Sequence, residues 1–121
     1  MNTISRAQVL DKVKQWAAGA ITAADMHLWA TDLLLEEDLD YLDWECDHKF
    51  SVTREVLDEL EMLDMNLVCS EDAPIFIEFL NAPTDGFEPA YIAFIGKLQA
   101  IDQEARKIKL KDVMPYAKHC T

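Results

Sequence analysis

The chain has 121 residues, half of them apolar, and its 23 acids against 11 bases give a formal charge of −12. This is about the length of one ordinary domain, with enough apolar content to build a core without disulfides or a structural metal. So acidic a chain repels nucleic acid and anionic lipid and speeds encounter with basic proteins, so neither a nucleic-acid nor a membrane partner is expected.

The charge is unevenly distributed. Before Gly96 there are 20 acids and 5 bases, a net of −15, whereas from Gly96 onward 3 acids face 6 bases, a net of +3. The pattern is an acidic body with a mildly basic tail, and the tail is expected to fold back onto the body's own acids. Cys46, Cys69 and Cys120 are an odd number without paired spacing, which argues against a disulfide framework and for a reducing compartment. Arg6, Asp11, Lys12 and Lys14 interrupt the apolar run that a secretory leader needs, and no stretch approaches the roughly 18 apolar residues of a membrane span. A cytoplasmic location is expected.

In chain order, Ser5 is placed to cap a first helix, in which Val9, Leu10, Val13, Trp16 and Ala17 fall on one face of a 3.6-residue period. Gly19 supplies its stop. Thr22 opens a second helix, with Asp25 three residues on as a capping-box partner and Met26, Trp29, Ala30, Leu33 and Leu34 as its buried stripe. Only Ala20 and Ile21 separate the stop from the cap, so the two helices form a tight hairpin.

The next stretch, "EEDLDYLDWECDHKF" over residues 36–50, places seven carboxylates in the twelve positions from Glu36 to Asp47 and threads Leu39, Tyr41, Leu42 and Trp44 among them. It is either an extension of the second helix or a long irregular loop. As a helix it lacks a single apolar face and suffers like-charge repulsion; as a loop its length points to a functional role.

Ser51 or Thr53 caps a third helix, with Val56, Leu57, Leu60 and Leu63 inward and Glu55, Asp58, Glu59, Glu61 and Asp64 left mainly to solvent. Ser70 caps a fourth, where Glu71 and Asp72 suit the macrodipole and Pro74 fits the first turn, with Ile75, Phe76, Phe79 and Leu80 as its core face. A Pro and Asp-Gly turn over residues 82–87 leads to the longest helix, which starts near Pro89 and carries Tyr91, Phe94, Ile95, Leu98, Ile101 and Ala105. Gly96 inside it costs about 1 kcal/mol relative to Ala, an expense consistent with close packing against a neighbouring helix. Beyond it Lys107, Ile108, Lys109, Leu110 and Lys111 alternate as in a short strand or an extended arm, and Pro115 ends any long helix. The fold expected is all-α: a single domain over residues 1–121, a bundle of about five helices with a short basic C-terminal arm.

Catalytic and metal chemistry find little to use. Set at Glu36, the EF-hand template places Tyr41 where the sharp turn wants Gly and Asp47 where it wants Glu. Cys46 with His48, and His119 with Cys120, lack the ligand separations of zinc fingers. Three histidines, three glycines and no Gly-rich loop provide no nucleophile with a base and an oxyanion site. No catalytic residue, metal or cofactor is assigned, and a non-enzymatic role is expected.

Protein binding remains. Carboxylates steer a basic partner while Tyr41 and Trp44 add rigid apolar contact area. The candidate partner-binding residues are Asp38, Asp40, Tyr41, Asp43, Trp44, Glu45 and Asp47, with Glu55, Asp58, Glu59 and Glu61 as weaker ones on the third helix.

The stretch "GAITAADMHLWA", residues 19–30, resembles the glycine, Ile-Thr cap and Trp-Ala pattern near the start of small acidic helical bacterial proteins. In size, acidity and helical plan the chain resembles the immunity proteins of bacterial toxin systems, including contact-dependent inhibition systems. The resemblance implies an inhibitor that neutralises a cognate toxin, often a basic nuclease domain, by binding it. The alternative is a nucleic-acid mimic of the anti-CRISPR kind, which would occupy the basic groove of a defence nuclease or DNA-binding protein with the same acids.

Overall fold

The computed structural model describes residues 2–121, which form a mainly helical fold with a two-stranded parallel sheet. In chain order the elements are β1 (Asn2–Ile4), α1 (Arg6–Ala17), α2 (Ala23–Leu34), β2 (Leu39–Tyr41), α3 (Val52–Glu61), α4 (Ala73–Leu80), α5 (Phe87–Gln99) and α6 (Gln103–Leu110). Short 3-10 turns at Ser70–Asp72 and Ala117–His119 complete it.

The caps act where local chemistry directs them. Ser5 Oγ accepts from Gln8 N at 3.2 Å while Gln8 Oε1 accepts from Ser5 N at 2.8 Å, a complete capping box on α1. Gly19, at φ +78°, ends α1 with its N–H on Trp16 O, and Ala20 N reaches back to Gln15 O at 2.9 Å. Such a left-handed stop is open to glycine at no steric cost. Thr22 and Asp25 form the second box across residues 22–25 at 3.0 and 3.1 Å. Ser51, rather than Thr53, caps α3 by accepting from Arg54 N at 3.1 Å.

Helix α4 is short and apolar almost all round, and it is central: α1, α3 and α5 each pack on it, while α2 packs on α3. Trp16, Met26, Val56, Leu57, Leu60, Leu63, Phe76, Phe79 and Phe94 meet in one buried cluster. Parallel pairing of β1 with β2, in the register Asn2 with Leu39 through Ile4 with Tyr41, ties the start of the chain to the acidic segment.

Five expectations are corrected. The all-α plan omits the β1–β2 pair; of the two forms open to residues 36–50, the segment takes the irregular one, with β2 inside it. The chain forms six α-helices among the described residues rather than five, because the long last helix breaks after Ala100. There Asp102 turns extended and its Oδ1 caps a new helix by accepting from Ala105 N at 3.1 Å. The basic arm is therefore helical: Lys107–Lys109 lie in α6 and Leu110, its last residue, is buried, whereas Ile108 points outward. Five alternating residues are too few to separate a strand from one amphipathic turn. Ser70 opens only the 3-10 turn, and α4 begins at Ala73. Gly96 is exposed, and a Cβ there would meet nothing within 4 Å, so it marks no close helix approach.

The basic C-terminal region folds back on the body. Arg106 holds Asp72 through two hydrogen bonds of 2.7 and 2.8 Å and also donates to Leu67 O, while Lys109 pairs with Glu71. Tyr116 is buried and donates to Val68 O at 2.5 Å.

Candidate functional site

The acidic segment turns out to be knitted together from within. Arg6, at the start of α1, donates from Nε to Asp43 at 2.8 Å, from Nη2 to Glu45 at 3.1 Å and from Nη1 to Ala82 O at 2.7 Å. Asp43 also accepts from Ser51 Oγ at 2.5 Å and Thr53 N at 3.1 Å. Burial alone would raise its carboxyl, yet the bonds from Ser51, Arg6 and Thr53 outweigh burial and hold it below the ordinary carboxylate range. Glu45 is only 8% exposed and its backbone bridges Phe50. Of the predicted contact residues, Asp43 and Glu45 thus serve the fold.

The aromatics of this segment also organise it locally. Trp44 is half-buried, donates its indole N–H to Asp40 at 2.9 Å, meets Tyr41 edge-on at 5.5 Å and lies 5.6 Å from the His48 ring. The Arg54 guanidinium from α3 sits over the Trp44 ring at 5.0 Å, a cation–π contact. Glu36 and Asp38 both accept from Asn2. Cys46, Asp47 and His48 form an exposed tip with three successive positive φ angles of 52°, 56° and 65°. Asp38 and Asp47 remain exposed, and Asp40 and Tyr41 are half-buried.

Helix α3 presents a different acidic face. Its core side is Val52, Val56, Leu57 and Leu60, which leaves Glu55, Asp58 and Glu59, at i, i+3 and i+4, half-buried beside one another. Glu55 pairs with Arg54 at 3.2 Å, whereas Asp58 and Glu59 make no salt bridge among the described residues. Burial, then the neighbouring carboxylates, pushes both acids above their ordinary range; for Asp58 the Arg54 charge offsets this in part. Two tyrosines flank this stripe. Burial, then the charge of Asp58, raises the Tyr41 hydroxyl on one side, and burial, then Glu55, Glu59 and Asp58, raises that of Tyr91 on the other. The structure therefore joins Tyr41 and Trp44 to Glu55, Asp58 and Glu59 in one patch, with the acids of α3 in the middle.

No family model, curated protein or solved structure matches this chain.

Two clefts that share no lining residue lie on successive turns of α3 and α5 and together make a groove between the two helices. At one end a cleft of about 440 Å³ is lined by Phe50, Glu55, Phe87, Tyr91 and Ile92; at the other, one of about 320 Å³ is lined by Glu59, Ile95, Leu98 and Gln103. Phe50 stacks on Phe87 at 4.8 Å and Phe87 on Tyr91 at 5.3 Å, both with interplanar angles of 13°. Phe50 is 38% exposed and Ile92 65%. Sequence reasoning missed Phe50 and Ile92 as surface candidates, and Phe87 as the buried ring beneath them. One signal was available: Phe50 stands just outside the α3 cap and belongs to no periodic stripe, so no local pattern accounts for it.

Other clusters are structural. Asp64, expected to face solvent, is buried and lies 3.1 Å from His119 Nε2, holding the C-terminal turn beside the end of α3, while His27 Nδ1 at 3.9 Å is beyond hydrogen-bond reach. Burial raises the Cys69 thiol, against the opposing pull of Arg106, so it stays protonated. Among the described residues no group of three or more His, Cys, Asp or Glu is gathered as a cation site, and no helix is long and apolar enough to cross a membrane.

Proposed function

We propose that this chain is a non-enzymatic, cytoplasmic inhibitor that neutralises a basic toxin domain, a nuclease above all, by binding it through the acidic face of α3 together with Tyr41 and Trp44. The observation that carries this reading is the pair Asp58 and Glu59, half-buried carboxylates crowded by Glu55, without a salt bridge among the described residues. Like charges at this helical spacing destabilise a helix by roughly a few tenths of a kcal/mol per pair, and a cation from a partner relieves that cost on binding. The acidic, helical plan of the chain agrees with the immunity proteins it resembles. Asp38, Asp40 and Asp47 extend the negative field around this face and steer encounter, while Asp43 and Glu45 support it from beneath.

The test is capture of partners on the tagged protein, eluted with rising salt, beside a variant carrying Glu55→Lys, Asp58→Lys and Glu59→Lys. A stoichiometric basic protein held by the parent and released by the variant, whose toxic activity the parent suppresses, is the expected outcome. A basic partner held equally by both chains removes α3 from the interface, and the absence of any basic partner removes the proposal.

A further inference from the structure

The groove between α3 and α5 has two walls of different chemistry. Phe87, Tyr91, Ile95 and Leu98 recur at i, i+4, i+8 and i+11, so they share one face of α5. Phe87 is buried in the core cluster and floors the near cleft, whereas Tyr91, Ile95 and Leu98 are half-buried at the edge of that cluster and line the clefts beside α3. The opposite wall carries Glu55 and Glu59, one helical turn apart, with Asp58 adjoining, and Glu88 adds a carboxylate at the near end. Arg54 also borders the near cleft, but its guanidinium is engaged by Glu55 and by the Trp44 ring. From Phe87 to Leu98 the apolar strip is about 17 Å long at the rise of an α-helix, room for about three turns of another helix.

We propose that this groove is the docking site for a basic amphipathic helix of the partner, laid along α5 with its apolar stripe on Phe87, Tyr91, Ile92, Ile95 and Leu98 and its Lys and Arg side chains against Glu55, Asp58 and Glu59. The inference rests on the reading of the acidic face as a partner surface and adds which side of α3 the partner occupies and with what element. Charge complementarity selects the occupant: Glu55 already has Arg54, but an acidic or neutral helix on the apolar strip would leave Asp58 and Glu59 crowded and partly desolvated with no counter-charge. Bare electrostatic attraction, by contrast, would leave the strip uncovered.

The test is a titration of the ¹⁵N-labelled protein, followed by amide shifts, with three synthetic peptides of about 18 residues: leucine and lysine in amphipathic helical order, the same composition scrambled, and oligolysine. The ordered peptide is expected to bind about tenfold or more tightly than the other two, since only it presents a continuous apolar stripe. Its shifts should centre on Glu55, Glu59, Tyr91, Ile92, Ile95 and Leu98. Ile92→Lys, at an exposed position, should weaken it about tenfold and leave the circular dichroism unchanged. Equal binding of all three peptides, with shifts spread over the acidic surface and insensitive to Ile92→Lys, overturns the groove while leaving the acidic-face reading intact. A basic partner that is lost on α3 charge reversal but indifferent to Ile92→Lys does the same. Concentration-dependent broadening of the groove residues without peptide makes a second copy of this chain the occupant and also overturns it.

Discussion

Residues 36–50 and helix α3 are both dense in carboxylates, seven within twelve positions in the first and four within ten in the second, yet the two regions handle charge in opposite ways. In the segment, Arg6, Ser51, Asn2 and the Trp44 indole donate to Asp43, Glu45, Glu36 and Asp40, so much of the charge is spent on holding an irregular chain in place. On α3 the backbone satisfies itself, and the acids need no partner to hold the helix. The density of acids in a sequence is therefore a poor guide to the charge a surface can offer; the better guide is whether the local backbone needs those acids.

The largest effect should come from Arg6→Ala. It leaves Asp43 and the nearly buried Glu45 without their cation and should cost about 3 kcal/mol, read as a shift of the urea midpoint. A loss below about 1 kcal/mol would reduce these bonds to surface pairs and dissolve the contrast between the two regions. For the same reason reversing Asp40, Asp43 and Asp47 together is a poor test of binding, because Asp43→Lys strikes the fold itself. Asp40→Lys with Asp47→Lys spares Asp43 and tests the field of the segment at the cost of one bond, the Trp44 indole N–H to Asp40.

Next in size is the kinetic comparison. Reversing Glu55, Asp58 and Glu59 should slow association with the basic partner about tenfold or more at low salt, and the Asp40 and Asp47 pair by less, as stopped-flow mixing would show. The reverse order would return the interface to the segment.

Gly96→Ala should then stabilise the chain by about 1 kcal/mol, because the added Cβ meets nothing and the helix interior gains propensity. A rise in Tm would confirm that this glycine is not a packing device; a fall would reveal a contact that the open surface there does not show.

The smallest effects separate the regions by the sign of their pH dependence. Asp58 and Glu59 are raised in the folded state, so stability falls as pH climbs from their unfolded values through the folded ones, and the penalty is full above them. Asp58→Asn and Glu59→Gln should each add a few tenths of a kcal/mol at pH 7 after solvent screening, a gain that disappears below the carboxylate range. Asp43 is lowered, so its contribution is present above the unfolded value and is lost as pH falls through the folded one. Asp43→Asn should therefore lose stability at pH 7 and converge on the parent in acid. Parallel pH profiles for the two sets of variants would erase the distinction.

The first three helices and their caps were legible at the level of single residues, whereas the cap of α4 and the whole of α6 were not. Ser5, Thr22 and Asp25, Gly19 and the α3 stripe Val56, Leu57, Leu60 act where their spacing puts them, because capping and amphipathic burial depend on neighbours within one or two turns. The sequence by itself also determined that the chain is mainly helical and strongly acidic. What only the tertiary structure decided involves partners far along the chain: Arg6 reaches Asp43 across 37 residues, β1 pairs with β2, and Arg106 closes on Asp72 across 34. The break at Asp102 had a local signal that was missed, a carboxylate capping Ala105 N three residues on, but that Arg106 and the buried Leu110 then hold α6 onto the body is tertiary. Which acids stay available, and that Phe50, Tyr91 and Ile92 line a groove beside them, follows from that folding back, because exposure is a property of what packs over a residue and not of the residue or its neighbours in sequence.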